Sequence, residues 1–136
     1  MTITDEAARR LWALLEAQHP NEACGVLQCD QNGVLSRVIQ LTNYAPDPTL
    51  EFWMNPLDLQ RVQELSTEQI ALWHSHPTSR WNLSREDGHV MRTTRLPMVI
   101  VAAIPYPSVS VYEHYSNGTC RMIIRTACIK IPVEGV

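Results

Sequence analysis

Between residues 4 and 18, Ala7, Ala8, Leu11, Trp12, Leu14 and Leu15 recur at helical spacing. Asp5 and Glu6 fall in the first turn, where negative charge favours the helix dipole. The pattern predicts an amphipathic helix ended by His19-Pro20-Asn21. Two apolar, strand-like runs, Cys24–Cys29 and Val34–Leu41, then flank Asp30-Gln31-Asn32-Gly33, and Asn-Gly between such runs predicts an antiparallel hairpin. Residues 43–48 form a polar, proline-containing loop, residues 51–54 suggest a short strand, and residues 56–66 suggest a helix with Pro56 suited to its first turn. Residues 70–76 are a β-like run that Pro77 is expected to stop, after which Ser84 caps a helix reaching about Thr94. Residues 98–104, 108–115 and 119–131 complete the chain as three strands, the last two joined at Asn117-Gly118. This order predicts an α/β (α+β) domain in which helices pack on a mixed sheet.

Composition narrows the function. A chain of 136 residues, 45% apolar and 18% charged, is expected to form one globular domain spanning 1–136. A formal charge of −3, with ten scattered arginines and the single lysine Lys130, argues against nucleic acid or anionic lipid as a partner, because phosphate binding needs clustered cations. The longest apolar run, about residues 97–105, is too short to span a bilayer, and the first residues carry no basic or cleavable leader. Cys24, Cys29, Cys120 and Cys128 form no CxxC pair and lie in apolar segments, as thiols do in a reducing compartment. A soluble, cytoplasmic protein is expected.

The chemistry concentrates in residues 74–87. Residues two apart in a strand share a face, so His74 and His76 present two imidazoles side by side while Ser75 points away. Asp87 lies three residues into the helix that Ser84 begins, so a strand-loop-helix turn can swing its carboxylate back towards them. Two histidines and one carboxylate, with a fourth position for water, form a catalytic rather than a structural zinc arrangement. Taken alone, Ser84 and Asp87 are most simply a capping pair, and a lone histidine is an ordinary surface or core residue. Taken together, His-x-His-Pro-x6-Ser-x2-Asp has a chance occurrence on the order of one in forty thousand at this chain's own residue frequencies.

This pattern resembles the JAMM (MPN-type) zinc metalloproteases, whose signature is a distant Glu followed by H-x-H-P, a loop, and S-x-x-D. Glu22, His74, His76, Pro77, Ser84 and Asp87 fill those places, and Pro20-Asn21-Glu22-Ala23-Cys24-Gly25-Val26-Leu27, directly after a first helix, is similar to the segment that presents the family's glutamate. The likeness spans about residues 3–131. It implies an MPN fold, a mixed and mostly antiparallel curved sheet flanked by helices in a cytidine deaminase-like three-layer arrangement. It further implies that His74, His76 and Asp87 ligate one Zn2+, and that Ser84 hydrogen-bonds the tetrahedral oxyanion. Glu22 would be the general base towards the attacking water and then the proton donor to the leaving amine.

The implied activity is that of a zinc metallopeptidase, deubiquitinase-like, which cuts the bond after the extended C-terminal tail of a ubiquitin-like protein, either processing a precursor or deconjugating a target. The short loop of residues 78–83 and the lack of an attached domain look like a stand-alone bacterial or phage-type member, with Leu83 standing where many prokaryotic members have proline. Antiviral conjugation enzymes, sulfur-carrier peptidases and phage tail-assembly peptidases are the competing subgroups. The non-enzymatic alternative is a silent MPN scaffold that binds protein partners; such members typically lose ligands, and every matching position is present here. Cys24 with a histidine suggests a thiol protease but leaves Ser84 and Asp87 unexplained. A zinc deaminase would need Glu, not His76, and a following P-C-x-x-C. Trp53, Trp73 and Trp81 either line a peptide groove or belong to the core, and His89 is either close behind the ligands or exposed.

Overall fold

The computed structural model describes residues 1–66, 69–114 and 120–128. Its elements in chain order are β1 (Thr2–Ile3), α1 (Asp5–Gln18), β2 (Cys24–Cys29), β3 (Val34–Leu41), α2 (Pro56–Leu65), β4 (Ile70–Arg80), α3 (Arg85–Thr94), β5 (Met98–Ile104), β6 (Ser108–His114) and β7 (Cys120–Ala127).

Local chemistry sets most boundaries. Thr4 caps α1 by accepting the Ala7 amide at 3.1 Å. The β2–β3 turn closes because Asp30 Oδ1 accepts the amides of Asn32 and Val34, at 2.8 and 3.0 Å, while Gly33 takes φ 78°, a left-handed conformation that suits glycine. Asn55 caps α2 through the Leu57 amide, with Pro56 in the first turn where its missing N–H costs nothing.

The strands form one seven-stranded sheet in the order β1-β3-β2-β4-β5-β6-β7. The pairs β1–β3 and β4–β5 are parallel and the rest antiparallel, giving the expected mixed, mostly antiparallel sheet. Both faces are buried. On one, Ala7, Ala8, Leu11 and Leu15 of α1 pack against Leu27, Trp73, Val99, Val101 and Val111. On the other, Val26, Leu72, Ile100 and Tyr112 meet Met91 of α3 and Leu59 and Val62 of α2. Strand alternation divides β4 between the two: Ala71 and Trp73 join the α1 face, and Ile70 and Leu72 join the α2/α3 face. His74 and His76 continue the second series and therefore face α3.

Three elements differ from the sequence expectation. Strand β4 does not stop at Pro77 but runs to Arg80. Its pairing with β5 shifts register between His76 and Arg80, so proline, which has no N–H to donate, sits in an irregularity where the ladder is already interrupted. Residues 51–54 are not a strand; Tyr44 and Trp53 share one backbone bond of 2.9 Å, and side-chain bonds hold the rest. Strand β1, two residues paired with Val34 and Leu35, is too short to carry a periodicity and was not expected. The predicted turn at Asn117-Gly118, Tyr115, Thr119 and the end of the last strand beyond Cys128 lie outside the described residues.

Gly25 marks the tightest approach. A Cβ there would collide with the Ile39 carbonyl oxygen and lie 2.7 Å from Trp73 Nε1, the same indole N–H that donates to Ile39 O at 3.1 Å. Gly88 is different, since an added Cβ would meet only the guanidinium end of Arg92, at 3.2 Å. Gly25→Ala should therefore cost about 1–3 kcal/mol through overpacking. Gly88→Ala, in mid-helix, should be neutral or gain up to about 1 kcal/mol. Urea unfolding of both variants checks this pair, and a neutral Gly25→Ala would contradict the close approach.

Candidate metal centre

Four side chains from three separate stretches of chain converge on the α3 face of β4. His74 and His76 place their Nε2 atoms 2.9 Å apart. Asp87 Oδ1 lies 3.0 Å from His74 Nε2, and Oδ2 lies 3.4 Å from His76 Nε2. Glu22, at the entrance to β2, brings a carboxylate oxygen to the same place, within 4.8 Å of both imidazoles. All four residues are buried.

The donor set fits a zinc ion. Zinc–nitrogen and zinc–oxygen bonds of about 2.0–2.2 Å in a tetrahedron place neighbouring donors about 3.3–3.5 Å apart, close to the spacings within the His74, His76 and Asp87 triad. Protonation suits it at His74 and Asp87 and opposes it at His76. Complete burial lowers the pKa of His74 against the opposing pull of Asp87, keeping the imidazole neutral. Burial also pushes on Asp87, upwards, but the charge and hydrogen bonds of the histidines and the Ser84 amide outweigh it and hold the carboxyl well below its ordinary range. Burial alone would lower His76; hydrogen bonds to Asp87 and to the Arg80 carbonyl, with the charges of Asp87 and Glu22, reverse it and raise the pKa.

Ser84-x-x-Asp87 is a capping pair, and the same carboxylate meets the histidines. Ser84 Oγ accepts the Asp87 amide at 3.0 Å and Asp87 Oδ2 accepts the Ser84 amide at 2.9 Å, a capping box at the start of α3. The box fixes the rotamer that turns the carboxylate to the histidines. Since Ser84 Oγ accepts within the box, its hydroxyl hydrogen is left to donate, and the residue is exposed.

Glu22 is placed by its neighbours. Ala23 N donates to Ser75 Oγ at 2.7 Å and Ser75 N donates to Ala23 O at 2.9 Å, so the serine between the two histidines ties down the residue next to the glutamate. Glu22 N donates to Pro48 O at 2.7 Å. Asn43 uses its whole amide: Nδ2 donates to Glu22 O and Glu51 O, at 2.9 and 3.0 Å, and Oδ1 accepts from Ala45 N and Trp53 N, at 3.0 and 2.9 Å. The segment so held stacks Phe52 on His74, with centroids 4.3 Å apart. Burial, then the charges of Asp87 and Glu51, push Glu22 up to about 7 against the pull of His76.

Sequence reasoning missed Asn43, Phe52 and the Arg80 carbonyl, which lies 2.7 Å from His76 Nδ1 and orients that ring. A loop asparagine and one aromatic carry no spacing signal, and a backbone acceptor carries none at all. Trp73 is core, fully buried beneath α1. Trp81 packs at the edge of the second core with the Arg125 guanidinium 4.7 Å from its ring, and Trp53 is 52% exposed. His89 is exposed. The thiol-protease alternative fails on chemistry, because burial and then the Glu22 charge push the Cys24 thiol up to about 12.

A seven-stranded sheet between helical layers, with this cluster at the strand-to-helix crossing of β4 and α3, is the fold of JAB/MPN domain proteins. The chain belongs to the prokaryotic homologs of the JAB domain, whose family model matches residues 4–115. Among solved structures it is similar to a protein from Desulfitobacterium hafniense, with a TM-score of 0.69 and 25% identity over 89% of this chain and 88% of that one. It is also similar to a JAB1/MPN domain protein from Archaeoglobus fulgidus, with a TM-score of 0.52 and 19% identity over 83% and 86% of the two chains. A protein from Salinibacter ruber shares the fold at a TM-score of 0.56 and 15% identity, over 90% and 88%. No curated protein matches the chain significantly. None of the described helices is long and apolar enough to cross a membrane.

The raised Glu22 pKa makes a linkage prediction for protein stripped of metal. A carboxyl whose folded pKa exceeds its ordinary value of 4.5 stabilises the fold below that value, and the contribution is lost as pH rises through about 7. Metal-free Glu22→Gln should therefore melt close to wild type at pH 5 and above it at pH 8. A gap that is unchanged or reversed between those pH values, in thermal melts with chelator, would contradict the burial of this carboxyl.

Proposed function

We propose that the chain is a zinc-dependent peptidase or isopeptidase that hydrolyses the bond after the extended C-terminal tail of a ubiquitin-like protein. The observation that carries the reading is the convergence of His74, His76 and Asp87 with a separately held Glu22 whose pKa lies near 7. His74, His76 and Asp87 are the metal ligands in this reading. Asp87 is preferred to Glu22 as the third because it is held ionised with its oxygens 3.0 and 3.4 Å from the imidazole nitrogens, whereas burial pushes Glu22 towards its neutral form.

A zinc ion there would supply Lewis acidity and lower the pKa of a coordinated water to about 7. The remaining chemistry belongs to the chain. Glu22, poised near neutrality, takes the proton of the attacking water and returns it to the departing amine nitrogen. Ser84 donates its hydroxyl hydrogen to the oxygen on which negative charge develops. Phe52 covers the His74 ring and keeps water from that side, while the Arg80 carbonyl holds His76 Nδ1–H so that Nε2 faces the cluster.

Elemental analysis and cleavage of tail fusions test the assignment together. Wild type should carry about one zinc per chain, and His76→Ala and Asp87→Asn should lose it. Glu22→Ala should keep the metal and lose hydrolysis by about a hundredfold to ten-thousandfold. Loss of zinc from Glu22→Ala, or full zinc in Asp87→Asn, would exchange the two carboxylates' roles. A metal-free wild type, even after reloading, would favour a scaffold that binds partners without hydrolysis.

A further inference from the structure

Among the described residues, five buried side-chain polar atoms have no hydrogen-bond partner, and four of them lie together: Ser108 Oγ, Ser110 Oγ, Arg125 Nε and Arg125 Nη2. The fifth, His74 Nδ1, belongs to the metal centre. Ser110 stands directly opposite Arg125 across the β6–β7 ladder, and Ser108 lies two positions along on the same face. Side chains placed opposite each other in this way start about 4.5–5.5 Å apart. It is the face that carries the histidines, because His74, Ile100, Ser110 and Arg125 are successive partners across β4, β5, β6 and β7. At about 4.8 Å per strand, the backbone of Arg125 is roughly 14 Å from that of His74, so the cluster is separate from the metal centre.

The guanidinium is held without being satisfied. Its central carbon stands 4.7 Å from the centroid of the Trp81 ring and 4.6 Å from that of Tyr106. Ring faces attract the charge, but they accept nothing from N–H bonds that point along the guanidinium plane. No carboxylate among the described residues pairs with it. Nε–H and the adjacent Nη2–H form the edge of the guanidinium that grips a carboxylate by two parallel bonds. A buried cation edge and two buried hydroxyls without partners are costly, and one oxyanion can accept from all of them. The row beside Arg125, made of Ala102, Ser108 and Ala127 in register, carries nothing longer than serine. No side chain rising from that row therefore competes with a ligand for the guanidinium edge.

We propose that Ser108, Ser110 and Arg125 form a carboxylate-binding site, entered as the Tyr106 ring swings outwards. Of the two rings, Trp81 is pinned, its carbonyl accepting the Tyr112 hydroxyl at 2.7 Å, whereas Tyr106 lies between β5 and β6 and is 38% exposed. Arg125 is the single cation of the cluster, which matches the one charge of a carboxylate rather than the nearly two of a phosphate group. The site does not depend on hydrolysis at the metal centre.

NMR titration of the whole 15N-labelled chain, read at the Arg125 Nε–H and the Trp81 indole N–H, tests this. Nα-acetyl-glutamate amide should shift both signals, and Nα-acetyl-glutamine amide, nearly the same shape without the charge, should shift neither. Arg125→Lys keeps the charge but loses the fork, so binding read at Trp81 should weaken about tenfold. Ser110→Ala should bind several-fold more weakly yet melt no lower than wild type, since it removes a hydroxyl that has no partner; this variant decides the matter if Arg125→Lys does not fold. Acetate binding as tightly as the glutamate derivative would mark a site for a free acid, and a tighter glutamate derivative would mark a site for a polypeptide side chain. No shift with either carboxylate, equal shifts with the glutamine derivative, or inorganic phosphate binding more tightly than both would overturn the proposal.

Discussion

Ala23 and Ser75 hold each other by two hydrogen bonds, and the arrangement of the site depends on that exchange. Ser75 sits between His74 and His76 on the opposite face of β4, so its grip fixes the end of β2 at the height of the two imidazoles. Glu22 is the residue before Ala23. A carboxylate more than fifty positions away in sequence is thereby set beside the histidines by a contact it does not itself make. The pleat of one strand thus does two jobs: it points the imidazoles at α3 and anchors the acid from behind.

The same economy appears at Asp87. Its carboxylate closes the capping box of α3 and faces the histidines, so folding the first turn of that helix and completing the cluster are one event. Such residues are held under opposing demands. Burial drives Glu22 towards its neutral form while the neighbouring histidines keep Asp87 ionised, so two carboxyls at one site are pushed in opposite directions by their surroundings. That separation suits one for holding a cation and the other for exchanging protons at neutral pH.

Much of this was legible beforehand because it is local. The helix that starts at residue 4, the Asn32-Gly33 turn, the alternation that pairs His74 with His76 and the spacing to Ser84 and Asp87 are short-range features that local sequence carries. What stayed hidden depends on the fold. Pro77 breaks a ladder in isolation, yet β4 passes through it because the β5 pairing is irregular there. Residues 51–54 have the composition of a strand but are held by one asparagine side chain and one backbone bond from Tyr44 rather than by a neighbouring strand. Phe52 and the Arg80 carbonyl act on the histidines through contacts with no spacing rule behind them.

The Asn43 clasp has a consequence for how such a domain diversifies. Its four bonds all run to main-chain atoms, of Glu22, Ala45, Glu51 and Trp53, so the path of the loop does not rely on the identity of the side chains it displays. Tyr44, Leu50 and Trp53 stand out from that loop, each more than half exposed. Mutation can rewrite this apolar face while Glu22 and Phe52 stay where they are, leaving recognition free to drift as the chemistry is inherited unchanged.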